Sequence, residues 1–333
     1  MTFRALWVSE KDDGKFERTV ITRNIGDLPD GDVLIRVHYS SLNYKDAMSA
    51  TGNRGITKNY PHTPGIDAAG IVEISRSELF ATGDKVIVTG HDLGMNTSGG
   101  FAEYIRVPAS WVVPLPESYT LSEAMVIGTA GFTAGLALLK MEMLGMKPDE
   151  EFPVVVTGAT GGVGSMSVAI LCKAGYNVTA VTGKSDVTEY LEYLGAKEIK
   201  TRDFVNDTSD KKLLKPRWKG AIDTVGGSTL ATLLKGCCNE GSVASTGLVS
   251  SADLNITVYP FILNGVNLIG VGSAQTTGEH RKKVWEKLNN EWLIQDKLKS
   301  IGKMISLDDL KSNYIETILN GKMVGRTVVS LID

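Results

Sequence analysis

The stretch from Val154 to Thr182 reads VVVTGATGGVGSMSVAILCKAGYNVTAVT, and its order of apolar runs and glycines decides the fold. It begins with the β-branched run 154–156, which predicts a strand buried on both faces. A glycine-rich turn over 158–164 follows, and then a helix over about 163–174 that ends at a glycine. A second strand over 178–182 completes a strand–helix–strand unit, which is typical of a parallel sheet that binds a dinucleotide.

The glycine-rich turn is the candidate ligand loop of this unit. Glycines let the backbone turn tightly and approach a ligand without a Cβ clash. The helix that follows offers N–H groups and a positive dipole end to a pyrophosphate. A glycine motif alone is weak, because a purely structural turn looks the same. The strands on both sides and the helix after it make the ligand-binding interpretation the stronger one.

The residues after the second strand indicate which dinucleotide binds. NAD sites usually carry Asp or Glu there, about 20 residues on, to bind the ribose hydroxyls. This chain has Thr182-Gly183-Lys184-Ser185 instead, and a cation with a hydroxyl suits a 2′-phosphate. The pattern therefore favours NADP(H). Asp186 is the acidic residue that disagrees, and we interpret it as a helix N-cap.

The composition sets the class of protein. The chain has 333 residues, of which 42% are apolar and 22% charged, and this length predicts two domains. A net charge of −3 gives no overall field that would favour nucleic acid or an anionic membrane. No window reaches the roughly 18 apolar residues of a membrane span, and the N-terminus lacks the form of a secretory signal. Its three cysteines form no disulfide framework, so we expect a cytoplasmic protein.

Two textures divide the chain. Residues 1–125 read as short alternating strands with frequent turns, which predicts a β-rich, barrel-like domain. A helix capped by Ser122 marks the change of texture. Residues 126–302 then alternate strands and helices, which predicts a doubly wound parallel sheet. Residues 303–333 end in a strand-like segment over 326–331, and we expect this tail to rejoin the first domain.

Several motifs, in this order along the chain, carry a family resemblance. They are Ser41–Asp46 (SLNYKD), Pro64–Gly70, Gly128–Ala134, Asp223–Gly226 and Gly325–Val329. With them the chain resembles the medium-chain dehydrogenase/reductase family, in particular its zinc-free quinone oxidoreductase group and the YhdH/YhfP branch of acrylyl-CoA reductase relatives. The resemblance runs from Ala5 to Leu331. It implies an α/β protein with a Rossmann domain and a GroES-like β-rich domain.

The resemblance also implies an activity. It points to an NADPH-dependent, metal-free oxidoreductase that reduces an activated C=C bond, with acrylyl-CoA converted to propionyl-CoA. One alternative is an NADPH:quinone reductase, or a reductase of small enones and enals. A second is a non-catalytic NADPH-binding protein, although the lack of a basic stripe counts against an RNA partner.

The metal-free expectation rests on two positions. Zinc relatives carry a cysteine where SLNYKD lies, and Gly-His-Glu where this chain has Gly65-Ile66-Asp67. Asn43 cannot supply a thiolate and Ile66 cannot supply an imidazole, whereas catalytic zinc needs three protein ligands. The four histidines are scattered without metal-ligand spacing. A conjugated alkene can still accept a hydride, because the carbonyl of the substrate delocalises the developing charge.

By resemblance, the cofactor contacts fall into three groups. The pyrophosphate would be held by Thr160, Gly161, Gly162 and Val163. The 2′-phosphate would be held by Thr182, Gly183 and Lys184, with Arg202 on the adenine side. The nicotinamide half would be contacted by Thr129, Leu248, Ile262 and Ser273. Arg326 is similar to a late arginine near the family's cleft, although a surface salt bridge is the alternative.

The catalytic candidates lie in the N-terminal motifs. Asn43 offers an amide donor, Tyr44 a phenol and an aromatic face for the nicotinamide, and Asp67 a polar group in place of a zinc ligand. The alternative is that Asn43 and Asp67, with Asp46, are turn and fold residues. For Tyr44 we favour packing and positioning over proton donation.

Two further expectations concern partners. The basic side chains of Lys45, Arg54 and Lys58 suit the phosphates of a CoA substrate, and equally they suit solubility. The apolar segment Val266–Val271 reads as a late, exposed sheet edge, so we predict a homodimer whose sheet continues across the two subunits.

Overall fold

The protein folds into two compact units. The computed structural model describes residues 1–148 and 151–332. The N-terminal unit comprises Met1–Thr129 together with the chain from Leu298 onward, and the parallel-sheet unit comprises Ala130–Lys297.

Strands and helices follow one another throughout the described residues. The strands are β1 (Thr2–Glu10), β2 (Phe16–Asn24), β3 (Val33–Leu42), β4 (Asp67–Ser75), β5 (Lys85–Thr89), β6 (Tyr104–Val107), β7 (Val112–Pro114), β8 (Val154–Thr157), β9 (Val178–Val181), β10 (Glu198–Lys200), β11 (Trp218–Asp223), β12 (Cys237–Ser245), β13 (Asn267–Gly270), β14 (Gly302–Ser306) and β15 (Arg326–Ser330). The α-helices are α1 (Tyr44–Ala50), α2 (Leu121–Met143), α3 (Gly162–Lys173), α4 (Thr188–Tyr193), α5 (Gly227–Lys235), α6 (Tyr259–Asn264), α7 (Gly278–Asn289), α8 (Gln295–Ile301) and α9 (Tyr314–Leu319).

The N-terminal unit is rich in antiparallel strands. Its larger sheet has the order β14-β15-β3-β4-β5-β7, with β6 also paired to β3, and β1 and β2 form a separate hairpin. The C-terminal strand β15 pairs antiparallel with β3, so that Thr327 lies opposite Leu42. Inward-facing residues of these strands, among them Ile35, Ile105 and Val329, form a buried apolar core.

The parallel-sheet unit has the order β10-β9-β8-β11-β12-β13, with every neighbouring pair parallel. Counted from β8, this is the doubly wound order 3-2-1-4-5-6 of dinucleotide-binding domains. Strand β8, helix α3 and strand β9 confirm the unit predicted from the glycine-rich stretch. Val154, Val155 and Val156 are all buried, as a strand covered on both faces requires.

Two predicted helix caps are wrong. Helix α4 begins at Thr188 after Val187, so Asp186 is not its N-cap; Asp186 instead has a φ of 57°, a conformation that Asp tolerates better than most residues. At the start of α2, Thr120 provides the cap rather than Ser122. The Thr120 Oγ1 accepts from the N–H of Glu123, and a Glu123 carboxylate oxygen accepts from the N–H of Thr120 at 2.8 Å.

Helix α2 is interrupted at Gly128, where φ is 47° and ψ is −157°. Contrary to the expectation from sequence, this helix is long and apolar enough by composition to cross a membrane. However, 89% of its most apolar window is buried inside the fold, which is typical of a core helix. The break at Gly128 lies two residues before Ala130, where the parallel-sheet unit begins.

Candidate cofactor and active site

The glycine-rich turn joins β8 to α3 with little room for side chains. A Cβ on Gly164 would lie 2.1 Å from the carbonyl oxygen of Gly158, and one on Gly158 would lie 2.3 Å from the Thr224 Oγ1. Gly158 also has a φ of 57°, which glycine adopts at little cost. Helix α3 starts after Gly161 with no side chain of the described residues capping it. These features fit a turn that presents backbone N–H groups to a phosphate.

The tip of β9 carries a connected polar cluster. The Lys184 ammonium donates to the Thr160 Oγ1 at 2.9 Å, and the N–H of Lys184 donates to the Thr182 Oγ1 at 3.1 Å. The Arg202 side chain lies over Gly183, where a Cβ would come within 2.2 Å of its Nε. The structure therefore brings together Thr160, Thr182, Gly183, Lys184 and Arg202.

This cluster is electrostatically suited to an anion. Burial, and the neighbouring charge of Arg202, lower the pKa of Lys184. An anion bound between the two cations would offset their repulsion and favour the charged form of Lys184. The cluster borders a cavity of about 380 Å³. The lining of that cavity includes Lys197 and Lys200 as well as Lys184, together with Glu192.

The residues predicted for the nicotinamide half are more dispersed. Leu248 lines a second cavity of about 260 Å³ next to the end of β12. Ile262 lies on α6 and is 68% exposed. Ser273 lies in the loop after β13, where its carbonyl accepts a hydrogen bond from Arg281. Thr129 belongs to the N-terminal unit and is bonded to Asp67.

Asp67 is the centre of a buried network in the N-terminal unit. It begins β4 and is fully buried. One carboxylate oxygen accepts from the Ser41 Oγ at 2.6 Å and from the Asn43 side-chain amide at 2.8 Å. The backbone N–H of Thr129 donates to both carboxylate oxygens, and its hydroxyl donates to the second one at 2.6 Å.

Arg326 closes this network from the last strand. It is 3% exposed, and its guanidinium donates to the Ser41 Oγ at 2.6 Å and to the Asn43 side-chain oxygen at 2.9 Å. It also donates to the carbonyls of Leu42 and Val126, and it lies 3.6 Å from the Asp67 carboxylate. The surface salt bridge considered as its alternative is therefore wrong.

The Asn43 and Asp46 pair shapes the turn before α1. The Asp46 carboxylate accepts from the backbone N–H of Asn43 and from that of Ile66, both at 2.8 Å. Burial, and then the charge of Asp67, raise the pKa of Asp46 to about 7, although the N–H donors oppose this shift. The Asn43 amide also donates to the Ser41 carbonyl at 3.2 Å. Asn43 and Asp67 thus use their polar groups inside the fold, which favours the fold role that the sequence left open.

Tyr44 differs from its neighbours in this motif. It is the first residue of α1 and is 41% exposed, so it is the predicted catalytic candidate that remains accessible. Of the basic residues considered for CoA, Arg54 is engaged within the unit: its guanidinium pairs with Glu10, donates to the Lys58 carbonyl and lies 4.9 Å from the Tyr60 ring centroid.

Within residues 1–148 and 151–332, no group of three or more His, Cys, Asp or Glu side chains could hold a metal ion.

Sequence reasoning missed some residues of these sites. Lys197 precedes the short strand β10 and Lys200 is its last residue, and their proximity to Lys184 follows from the parallel pairing of β10 with β9. A search for basic residues on the third strand of the unit would have found them. Ser41 was quoted within a motif, but its bridging position between Asp67 and Arg326 has no local signal.

Two family profiles match the chain. The alcohol dehydrogenase GroES-like domain matches residues 29–117, and the family described as zinc-binding dehydrogenase matches residues 162–290. The second description names a metal, whereas this chain has Asn43 and Ile66 at the positions considered above.

Several known proteins are similar over nearly the full length. Acrylyl-CoA reductase AcuI of Ruegeria pomeroyi is 42% identical over 99% of both chains. YhfP of Bacillus subtilis is 43% identical over 99% of both chains, and its crystal structure with NAD bound superposes with a TM-score of 0.95. The yhdH oxidoreductase of Salmonella enterica, crystallised with NADP, is 41% identical and superposes with a TM-score of 0.94 over 100% of both chains.

These similarities agree with the motifs, with the doubly wound sheet and with the GroES-like domain. The chain belongs to the medium-chain dehydrogenase/reductase family, in the quinone oxidoreductase group and on the branch that contains YhdH, YhfP and AcuI.

Proposed function

We propose that this protein is an NADPH-dependent, metal-free reductase of an activated C=C bond, and that it converts acrylyl-CoA to propionyl-CoA. The observation that carries the proposal is the cluster of Lys184, Arg202 and Thr160 at the tip of β9, which suits a 2′-phosphate. The name of the relative AcuI supports the substrate, and the NADP bound to the Salmonella relative supports the cofactor.

The residues present fit the cofactor. The turn over residues 158–164 leaves no room for Cβ atoms at Gly158 and Gly164, so its backbone can approach a pyrophosphate closely. Lys184 and Arg202 would hold the 2′-phosphate, beside the cavity that Lys184 and Thr182 line. When bound, NADPH supplies the hydride.

In the N-terminal unit, we assign positioning roles to most of the motif residues. A network of side-chain hydrogen bonds joins Ser41, Asn43, Asp67 and Arg326. This network fixes the turn that precedes Tyr44. Tyr44 is the residue that we place against the nicotinamide, by packing. The proton for the α-carbon of the substrate then comes from water.

The experiment that tests the activity is NADPH oxidation followed by absorbance, with acrylyl-CoA, with benzoquinone and without substrate. We expect turnover with acrylyl-CoA well above that with benzoquinone. Turnover with benzoquinone alone would replace the proposal by quinone reduction. NADPH binding without turnover of acrylyl-CoA, benzoquinone or small enones would indicate a non-catalytic binding protein.

Metal independence has its own test. Activity should survive prolonged dialysis against EDTA, and elemental analysis should find well below one zinc per chain. A stoichiometric metal whose removal abolishes turnover would overturn this part of the proposal.

We also propose a cytoplasmic homodimer. Strand β13 is an edge of the parallel sheet, and Leu268 on it is 40% exposed. The nearby helix α6 exposes Ile262 and Leu263 at 68% and 60%. Pairing of β13 with its copy would cover an edge that otherwise invites aggregation. Light scattering should give twice the mass of one 35.8 kDa chain, and a monomer at micromolar concentration would refute the dimer.

A further inference from the structure

The first turns of α7 contain a buried arginine that none of the cofactor assignments uses. Arg281 is 4% exposed, and its guanidinium lies 4.7 Å from the ring centroid of Phe132. Its Nη2 donates to the carbonyl of Ser273 at 3.2 Å and to that of Ala274 at 3.5 Å. All four residues belong to the parallel-sheet unit.

The chemistry of this contact is specific to arginine. Burying a guanidinium is costly unless its N–H groups are hydrogen-bonded. Here carbonyl oxygens accept from one edge of the group, and an aromatic ring faces it, which stabilises a desolvated cation further. Both hydrogen bonds leave Nη2, which lies one bond beyond the place that a lysine ammonium reaches, and a lysine has no planar group to face the Phe132 ring.

The contacted loop, residues 271–277, follows the carboxyl end of β13. Ligands of doubly wound sheets bind at the carboxyl ends of strands. At the start of the loop the N–H of Val271 donates to the Ser245 carbonyl, and at its end the Thr277 carbonyl accepts from the N–H of Arg281. The Arg281 side chain contacts the loop between these two ends, at the carbonyls of Ser273 and Ala274.

Fixing two carbonyls also fixes two donors. In a trans peptide the N–H points opposite to the preceding carbonyl. The carbonyls of Ser273 and Ala274 point toward Arg281, so the N–H groups of Ala274 and Gln275 point away from it. A loop held in this way presents its backbone N–H donors in a set direction. A hydrogen bond to the carboxamide oxygen of a nicotinamide ring needs a donor placed in this way.

We propose that Arg281 is a positioning residue that presets the 271–277 loop to bind the nicotinamide half of NADPH. The inference rests on the proposed function and adds to it a residue that acts through the loop, not by touching the substrate. Loss of the Arg281 contacts frees the loop, so the nicotinamide half must order it again on binding.

The test compares two ligands on the full-length protein by calorimetry: NADPH, and 2′,5′-ADP, which carries only the adenosine half. In Arg281→Lys we expect the Kd of NADPH to rise about tenfold or more, with the Kd of 2′,5′-ADP unchanged within about twofold. Lys282→Met is the matched control on the same helix, because the Lys282 side chain is 79% exposed. It should leave both constants unchanged.

A second substitution separates loop order from packing. Gly272→Ala adds a Cβ into open space and restricts the free loop, so in the Arg281→Lys background it should recover about two- to fivefold in NADPH affinity. If Arg281→Lys does not fold, Phe132→Leu, which removes the ring under the guanidinium, should give the same selective loss to a smaller degree.

The outcomes separate the two claims. Equal losses for NADPH and 2′,5′-ADP, or no loss for either in a folded Arg281→Lys protein, would overturn the role of Arg281. Failure of the unmodified protein to bind 2′,5′-ADP or NADPH would overturn the proposed cofactor itself.

Discussion

The cluster around Asp67 and the cluster around Lys184 are both rich in polar side chains, yet they use them differently. In the N-terminal unit, Asp67 accepts bonds from Ser41, Asn43 and Thr129 within the fold. In the parallel-sheet unit, Lys184 borders a cavity with further lysines, and burial lowers its pKa. The first arrangement satisfies its polar groups within the fold. The second places positive charges side by side, and a bound anion would reduce their repulsion. Polar residues in a family motif are therefore not by themselves evidence of contact with a ligand.

The largest effect should follow from removing Arg326. In Arg326→Met the buried Asp67 carboxylate loses its cation and the Asn43 oxygen loses a donor. Breaking a buried pair in this way costs about 3–5 kcal/mol in the free energy of unfolding. Urea denaturation should show this loss.

Arg4→Met is the control for Arg326. Arg4 pairs with Asp308 at the surface of the same unit, with side chains 45% and 47% exposed, so its loss should cost under about 1 kcal/mol. Equal effects of the two substitutions would mean that the Asp67 network contributes no more than a surface ion pair.

The next effect is a pH dependence from Asp46. An unfolded Asp46 loses its proton near its usual value of 3.8, whereas the folded one holds it to about 7. The folded state then binds more protons across this window, so this group lowers stability as pH rises from about 4 to about 7. Three pKa units correspond to on the order of 4 kcal/mol at most.

The Asp46→Asn variant isolates that contribution. It should be less stable at pH 4, where an amide donor replaces an acceptor, but its stability should fall less steeply between pH 4 and pH 7. Parallel stability curves for both proteins, measured by urea denaturation at each pH, would show that Asp46 titrates as it does in the unfolded chain.

Lys184 should affect binding and leave stability alone. A charge-assisted contact to a phosphate contributes about 1.5–3 kcal/mol, so Lys184→Ala should raise the Kd of NADPH roughly 10- to 100-fold and change that of NADH little. Lys282→Ala, in the same unit, is the control. If the unmodified protein binds NADH and NADPH equally well, the assignment of the 2′-phosphate to this cluster is wrong.

The smallest effect is expected at Tyr44. If its ring acts by packing, Tyr44→Phe should change turnover by no more than about twofold, and Tyr44→Ala should mainly raise the Kd of NADPH. A loss of about 10²-fold in turnover for Tyr44→Phe, with cofactor affinity intact, would assign the hydroxyl to proton transfer.

The two clusters also differ in how well the sequence predicts them. The unit around β8, α3 and β9 follows from local rules of strand burial, glycine turns and helix ends, so its elements were predicted within a residue or two. The Asp67 network depends on pairing of β15 with β3, which brings Arg326 to Ser41 across 285 residues of chain. No local pattern reports such a contact, and this is why burial of Arg326 was missed. The Thr120 cap and the φ of Asp186 were missed for another reason, since neighbouring residues with similar cap preference compete and packing decides between them.

The most direct test of the account follows deuterium into the product. The protein is incubated with acrylyl-CoA and with NADPH that carries deuterium at both C4 positions, and the product is analysed by mass spectrometry and NMR. The account predicts propionyl-CoA with one deuterium at the β-carbon, and, with ordinary NADPH in D₂O, one deuterium at the α-carbon. Acrylyl-CoA recovered unchanged, or propionyl-CoA without the label from NADPH, would contradict it.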